Sequence, residues 1–323
     1  MKASATDAVR RVTVGEEGEG QRLDNYLVKT LKGVPKSHIY RIVRSGEVRV
    51  NRGRAAPDTR LTEGDELRIP PLRVARPEVA SSRVARPVPD ESLRILYEDE
   101  ALLALDKPAG IAVHGGSGVS YGVIERLRRA RPEARFLELV HRLDRETSGV
   151  LLVAKKRAAL VSLHAQLRDG GVDKRYLVLV RGKWRDALRR VDLPLESRSV
   201  GGEKRVRVGP LGRHASTVFR LKERWPETDP PLSLLEAELE TGRTHQIRVH
   251  LTHLGFPLAG DDKYGDFAWN KTLARQGLKR MFLHAAAVTF HHPIAGGPLR
   301  IEAALAPDLA QFLQRLPSHA ERP

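Results

Sequence analysis

The sequence predicts an α+β protein in two parts, a small basic module of helices and a short sheet followed by a larger strand-rich domain. Three observations carry this. Leu23, Tyr26, Leu27 and Leu31, then Ile39, Ile42 and Val43, repeat at helical spacing, and Val48-Arg49-Val50 alternates after them. Pro70-Pro71 and the run to Pro89 are rich in proline and arginine and carry no apolar period, as a linker would. From Leu93 onward, short apolar runs bounded by turn residues recur.

Residues 1–19 read as a mobile arm, because Gly15, Gly18 and the acids between them offer little apolar surface to bury. The first helix begins after Arg22, and Gly33-Val34-Pro35 breaks it from the second. Gly46 ends the second helix, and Asn51-Arg52-Gly53 turns the chain after the strand. In the second domain, Leu93 to Tyr97 and Ala101 to Leu105 form a hairpin that leads into the turn Asp106-Lys107-Pro108-Ala109-Gly110. His114 to Gly118 is a flexible loop passing close to substrate, since no second ligand lies at metal spacing from His114, and Val123 to Arg131 is a basic helix. Val150 to Ala154 is a buried strand, Leu160, Leu163 and Leu167 mark a helix, and Tyr176 enters the strand Leu177 to Val180. Asp186 to Gly212 is charged and weakly patterned, compatible with hairpins on the rim of the sheet, and Leu232 to Glu240 alternates as a strand.

Charge is distributed unevenly. The 323 residues carry 56 Lys and Arg against 40 Asp and Glu, a formal net charge of +16, which favours a polyanionic partner. Between Arg22 and Arg60, ten basic residues face three acidic ones, +7 in 39 residues, a density expected of a phosphate-binding face. The absence of cysteine excludes a disulfide framework, thiol catalysis and thiolate-held metal clusters. No apolar run is long enough to span a bilayer and the N-terminus has no hydrophobic signal core, so a soluble cytoplasmic protein is expected. No repeat and no glycine-rich nucleotide-binding loop is found.

The chemistry-bearing stretch is Leu139 to Lys156, where two apolar runs bracket a polar turn containing Asp144 and closed by Ser148-Gly149. A carboxylate displayed there can be a nucleophile, a general base, a metal ligand, or a turn residue capping a backbone amide. A second polar segment, Thr241 to His250, places His245 between Arg243 and Arg248, with His250 beyond. Its imidazoles invite zinc, but the spacing and the flanking guanidiniums, which would repel a dication, argue against it.

His141-Arg142-Leu143-Asp144, Thr147-Ser148-Gly149, Leu152 and Ala154-Lys155 fix ten positions in a fifteen-residue window and resemble the catalytic motif of the pseudouridine synthases that modify large-subunit ribosomal RNA and some tRNAs, the RluA family. Lys174-Arg175-Tyr176-Leu177-Val178, Thr241 to His250, Gly260-Asp261-Asp262-Lys263-Tyr264-Gly265 and Phe282-Leu283-His284-Ala285 resemble the same family in the same order. Arg22-Leu23-Asp24, Ser37, Gly46, Val48 and Val50-Asn51 resemble the S4 RNA-binding module. Leu31 to Ser37, Val113 to Gly118 and Arg131 to Leu139 resemble a subgroup acting on large-subunit rRNA.

The resemblance implies a catalytic domain with a long, bent, mostly antiparallel mixed sheet flanked by helices. It implies an isomerase that turns uridine into pseudouridine with Asp144 as nucleophile, Arg248 paired with it, and Tyr176 stacked on the uracil and a candidate acid/base group. Arg142 would take the place of the flipped base, and Leu283 and His141 would line the substrate pocket. Lys36, Arg41, Arg44 and Arg52 would contact RNA. The expected domains are an arm at 1–19, the S4-like module at 20–80, a linker at 81–90, the catalytic domain at 91–317 and a tail at 318–323. The partner expected is 23S rRNA or its precursor, with no cofactor, metal, membrane or obligate protein partner, and the chain is expected to be a monomer. A tRNA-directed synthase, a base-excising glycosylase and a non-catalytic ribosome-assembly factor are the alternatives.

Overall fold

The computed structural model describes residues 9–15, 18–31, 34–72, 93–115, 122–200 and 203–317. The expected linker at 81–90, the tail at 318–323, residues 1–8 of the arm and Gly116 to Gly118 of the His114 loop lie outside them. The chain divides into two compact units, Met1–Glu91 and Ser92–Pro323.

The first unit runs β1 (Arg10–Thr13), α1 (Leu23–Thr30), α2 (Lys36–Arg44), β2 (Arg49–Val50), β3 (Gly53–Arg54) and β4 (Glu66–Ile69). The sheet order is β1-β4-β2-β3. Leu23, Leu27, Ile39, Ile42, Val48, Leu67 and Ile69 meet in one core. Asp24 is buried in the first turn of α1, where Arg22 donates to both of its oxygens and the Tyr40 hydroxyl donates from α2. One expectation is corrected: residues 10–13, assigned to a mobile arm, are a strand. Val12 and Val14 alternate, Val14 enters the core, and β4 offers an open edge along which Arg10 to Thr13 pair antiparallel. Glycines and acids nearby masked that short pattern.

The second unit runs β5 (Arg94–Glu98), β6 (Leu102–Lys107), α3 (Val123–Ala130), β7 (Glu138–Leu139), β8 (Ser148–Ala154), α4 (Arg157–Asp169), β9 (Asp173–Arg181) and β10 (Leu188–Asp192). It continues with β11 (Leu195–Val200), β12 (Glu203–Val208), β13 (Ser216–Trp225), β14 (Leu232–Leu239), α5 (Gln246–His253), α6 (Phe267–Arg275), β15 (Leu283–His291), β16 (Pro298–Glu302) and α7 (Pro307–Gln314). A mixed ten-stranded sheet is ordered β10-β13-β14-β9-β15-β8-β6-β5, with β16 added to β15 and β7 to β8. Its pairings are antiparallel except β15 with β8. Within the charged segment 186–212, β10 joins this sheet and β11 and β12 form a separate hairpin.

Every residue of β8 is buried, because the strand is covered on both faces. Leu151 and Val153 join Val123, Leu127 and Val178 on one side, while Val150, Leu152 and Ala154 join Ala159, Leu163 and Val288 on the other. The parallel junction explains Gly149: its φ of 106° suits glycine, and a Cβ there would run into the Ala285 carbonyl of β15. The starts of β8 and β15 therefore lie side by side, and the antiparallel β9 passes the same place with Tyr176 opposite Ala285.

Candidate active site

The turn 141–147 is held from below. Lys107, fully buried at the end of β6, donates its three ammonium protons to the carbonyls of Pro108, Ile111 and Arg145 at 2.8, 2.8 and 3.0 Å. Burial pushes this lysine down to about 7, whereas three acceptors for three protons suit the ammonium; the geometry favours the charged form. The backbones of Gly110 and Arg145 are bonded directly, and the Arg145 guanidinium donates back to Gly110.

Thr147 N–H donates to the backbone carbonyl of Asp144, so the main chain closes this turn. The carboxylate does not cap an amide; its partners among the described residues come from the other polar segment. Arg248 Nη1 donates to Asp144 Oδ2 at 3.2 Å, and His245 Nε2 lies 3.7 Å from the same oxygen. Asp144 lines a cavity, and its Oδ1 has no hydrogen-bond or ion-pair partner among the described residues. The Asp144 side chain remains 19% exposed, against 7% for that of Arg248.

Arg248 is fixed from behind. Its Nε and Nη2 donate to Asp261 Oδ2 and Oδ1, both at 2.7 Å, and its guanidinium lies over the Tyr264 ring at 5.0 Å. Asp261 also accepts from the backbone N–H groups of Lys263 and Tyr264. Burial would raise Asp261 and lower Arg248, but the pair overcomes both: Asp261 is held below the usual carboxylate range and Arg248 above its own. Arg248 thus reaches Asp144 as a permanent cation in a geometry set by Asp261.

Gln246 is the other fixed point of this segment. Buried, it accepts from Thr241 Oγ1 and Arg243 N and donates to Ser216 O and Thr217 Oγ1, stitching the loop before α5 onto β13. His250 is bonded to Thr217 Oγ1 and to the Leu193 carbonyl at 3.0 Å each, so its ring is committed to the scaffold. Among the described residues no group of three His, Asp or Glu is arranged to hold a metal.

Asp144, His245, Gln246 and Arg248 line a cavity of about 530 Å³ together with His141, Arg142, Lys174, Tyr176, Leu239 and Leu283, a volume within the roughly 300–1,000 Å³ usual for small-molecule sites. Arg142 is exposed; Tyr176 and Leu283 are buried as β9 and β15 enter the sheet. His141 accepts from the Leu152 N–H at 3.1 Å, which commits one ring nitrogen to β8, and burial pushes it down to about 4. Burial, with Asp144 adding, raises the Tyr176 hydroxyl well above its ordinary value, so it is a neutral donor and a poor base. In the first unit, Lys36, Arg41, Arg44 and Arg52 are all exposed; Arg44 stacks over Tyr40, and Arg41 contacts His38 and Glu47.

The two polar segments that meet at Asp144 fall within residues 101–253, which match the family model for RNA pseudouridylate synthases, and residues 21–67 match the S4 domain. The chain belongs to the RNA pseudouridylate synthase family, enzymes that isomerise uridine in RNA. It is 52% identical over 311 residues to ribosomal large subunit pseudouridine synthase C of Pasteurella multocida, covering 96% of this chain and 94% of that protein. It is 53% identical over 315 residues to the protein of the same name from Escherichia coli strain K12, covering 96% and 98%. Among solved structures, human RNA pseudouridylate synthase domain containing 4 is similar with a TM-score of 0.57 and 25% identity, over 71% of this chain and 94% of that one. The sequence motifs had pointed to the same family. The contributions of Asp261, His245 and Tyr264 to the site were not legible there, although all three stand inside those motifs.

Proposed function

We propose that this enzyme converts uridines of 23S rRNA, or of its large-subunit precursor, to pseudouridine at several positions in and around the peptidyl-transferase region, acting as a cytoplasmic monomer without a cofactor. The observation that carries the chemical part is the Asp144 carboxylate, which lines the cavity with Oδ2 engaged by Arg248 and with Oδ1 unpartnered among the described residues. Isomerisation breaks the bond from ribose C1′ to N1, turns the base and rejoins it through C5, which releases its proton as N1 gains one, so neither electrons nor protons are gained or lost overall. Asp144 Oδ1 supplies the nucleophile, and Arg248 favours its ionised form against the burial that substrate would impose.

A stacked uridine cannot reach this cavity and has to be turned out of the RNA. Arg142, exposed at the mouth, fills the space left behind. Tyr176 and Leu283 hold the extruded base between an aromatic and an aliphatic surface. Tyr176 serves here as a stacking surface and neutral hydroxyl donor, because its raised pKa disfavours it as the group that removes the C5 proton. The exposed basic face of α2 and the β2–β3 turn binds neighbouring phosphates without reading sequence, which lets one pocket serve several sites in looped RNA.

Support for the ribosomal substrate comes from relatives that match over nearly the whole chain and bear large-subunit names. Chemical mapping of pseudouridine across rRNA and tRNA from cells lacking the gene tests it. Marks should vanish from 23S rRNA and return on complementation; losses confined to tRNA would assign another substrate within the family, and free uracil released from RNA by the purified protein would indicate a glycosylase.

A further inference from the structure

His245 adopts a left-handed backbone (φ 55°, ψ 23°) immediately before the first turn of α5, a conformation that residues with a side chain seldom take. The bonds of Gln246 to Thr241, Arg243 and β13 hold it there. The consequence is directional. The ring is aimed into the site with Nδ1 2.8 Å from the Tyr264 hydroxyl and Nε2 3.7 Å from Asp144 Oδ2, and its edge contacts the Tyr264 ring with centroids 5.4 Å apart.

One tautomer of His245 gives the Tyr264 proton an acceptor among the described residues. The Tyr264 oxygen accepts the N–H of Val206, from β12, at 3.1 Å, so its own proton is available to His245 Nδ1. The imidazole's proton then resides on Nε2, the nitrogen that faces Asp144. Burial lowers the ring's pKa; Asp144 and Asp261 oppose this, while Arg248 and Lys263 reinforce it, and these groups with Tyr264 are the charged or titratable ones facing the ring among the described residues.

We propose that His245 is a positioning residue for Asp144, with Tyr264 setting its tautomer: the neutral Nε2–H, 3.7 Å from Oδ2 and longer than a hydrogen bond in the free enzyme, closes on that oxygen beside Arg248 when substrate fills the cavity, favours the charged carboxylate and turns Oδ1 toward the substrate. This rests on Asp144 being the nucleophile. It gives Tyr264 two tasks, carrying the Arg248 guanidinium on its ring face and orienting His245 through its hydroxyl. It also makes the β11–β12 hairpin, through Val206, the outer end of a hydrogen-bond chain that ends at the reacting carboxylate.

The test is the single-turnover release of tritium from uridine C5, followed against pH, for wild type, His245→Ala, His245→Gln, Tyr264→Phe and the His245→Ala/Tyr264→Phe double variant, with RNA affinity and melting curves measured on each. Losing one N–H donor to a charged group predicts a rate lower by roughly ten- to a hundredfold in His245→Ala, with RNA affinity within about twofold of wild type. The acid limb of the rate profile should move to higher pH, since the carboxylate has lost a donor that favours its ionised form. Glutamine, whose amide N–H reaches the position of Nε2, should return the limb toward wild type. Tyr264→Phe, which keeps the ring under Arg248, should move it in the same direction as His245→Ala and add nothing to that variant. A rate that falls equally at every pH, glutamine behaving like alanine, or additive losses would each overturn the proposal. If His245→Ala fails to melt cooperatively, Tyr264→Phe and His245→Gln decide alone. Asp144→Asn run alongside separates the two readings: activity there sinks the nucleophile assignment, whereas an inactive Asp144→Asn with an unmoved limb in His245→Ala sinks only this inference.

Discussion

Replacing Asp261 by asparagine removes one negative charge from a fully buried side chain that accepts four N–H groups, two of them from Arg248 at 2.7 Å. If the amide oxygen takes the place of Oδ1, which serves three of those donors, the new NH₂ faces Arg248 Nε, donor against donor. Arg248 meanwhile stays buried and charged, with Asp144 at 3.2 Å and the exposed Asp262 at 3.7 Å as its remaining acids. Breaking a buried pair from one side costs on the order of 3–5 kcal/mol. For a domain of this size that lowers the melting temperature by roughly 6–20 °C. Calorimetry at several pH values is the assay. Asp261 is held below its unfolded range, so its contribution is fully present above the unfolded carboxylate pKa near about 4 and is lost as pH falls through the folded value. The gap between wild type and variant should therefore be widest at neutral pH and narrow under acid conditions. A shift of less than about 2 °C at pH 7, or a gap unchanged down to about pH 3, would refute the view that Asp261 anchors Arg248.

Further outcomes are expected elsewhere. Lys107→Met leaves the Pro108, Ile111 and Arg145 carbonyls without their donor and should cost roughly 3 kcal/mol in a urea melt; a neutral result would mean the turn 141–147 is held by its backbone bonds alone. Substituting Lys36, Arg41, Arg44 and Arg52 together by alanine should weaken RNA binding and reduce the slope of log affinity against log salt by about 0.7–0.9 for each phosphate no longer neutralised. An unchanged slope would remove α2 and the β2–β3 turn from the RNA interface. Tyr176→Phe should keep RNA binding and slow isomerisation without displacing the alkaline limb of its rate profile, since burial already holds the hydroxyl neutral; a displaced limb would return Tyr176 to the role of base.

Legibility in the sequence followed burial. β6, β8 and β9 are covered on both faces or nearly so, and their apolar runs announced them. Helix α5 was hidden for the opposite reason: Gln246, Arg248 and His250 are as buried as Ile247, Val249 and Leu251, so no polar face alternates with an apolar one. β13 begins with Ser216 and Thr217, buried because they serve Gln246, His250 and the Thr241 hydroxyl. Family motifs pointed to Asp144 and Arg248, yet the partners that orient them are set by contacts 13 to 104 residues apart, which spacing alone does not encode. Spacing and the flanking arginines argue against zinc at His245 but do not show its direction, which its left-handed backbone and its bond to Tyr264 set toward Asp144.

In the proposed mechanism Asp144 attacks while Arg248 and the cavity walls position it. Asp144→Asn keeps the shape of the side chain and removes its charge and nucleophilicity, so it isolates that role. Tritium release from uridine C5 in a 23S rRNA fragment, measured under single-turnover conditions with RNA affinity determined on the same preparation, should fall to background while binding stays within about threefold of wild type. Release at near the wild-type rate with the asparagine in place would contradict the account and require another nucleophile in the cavity.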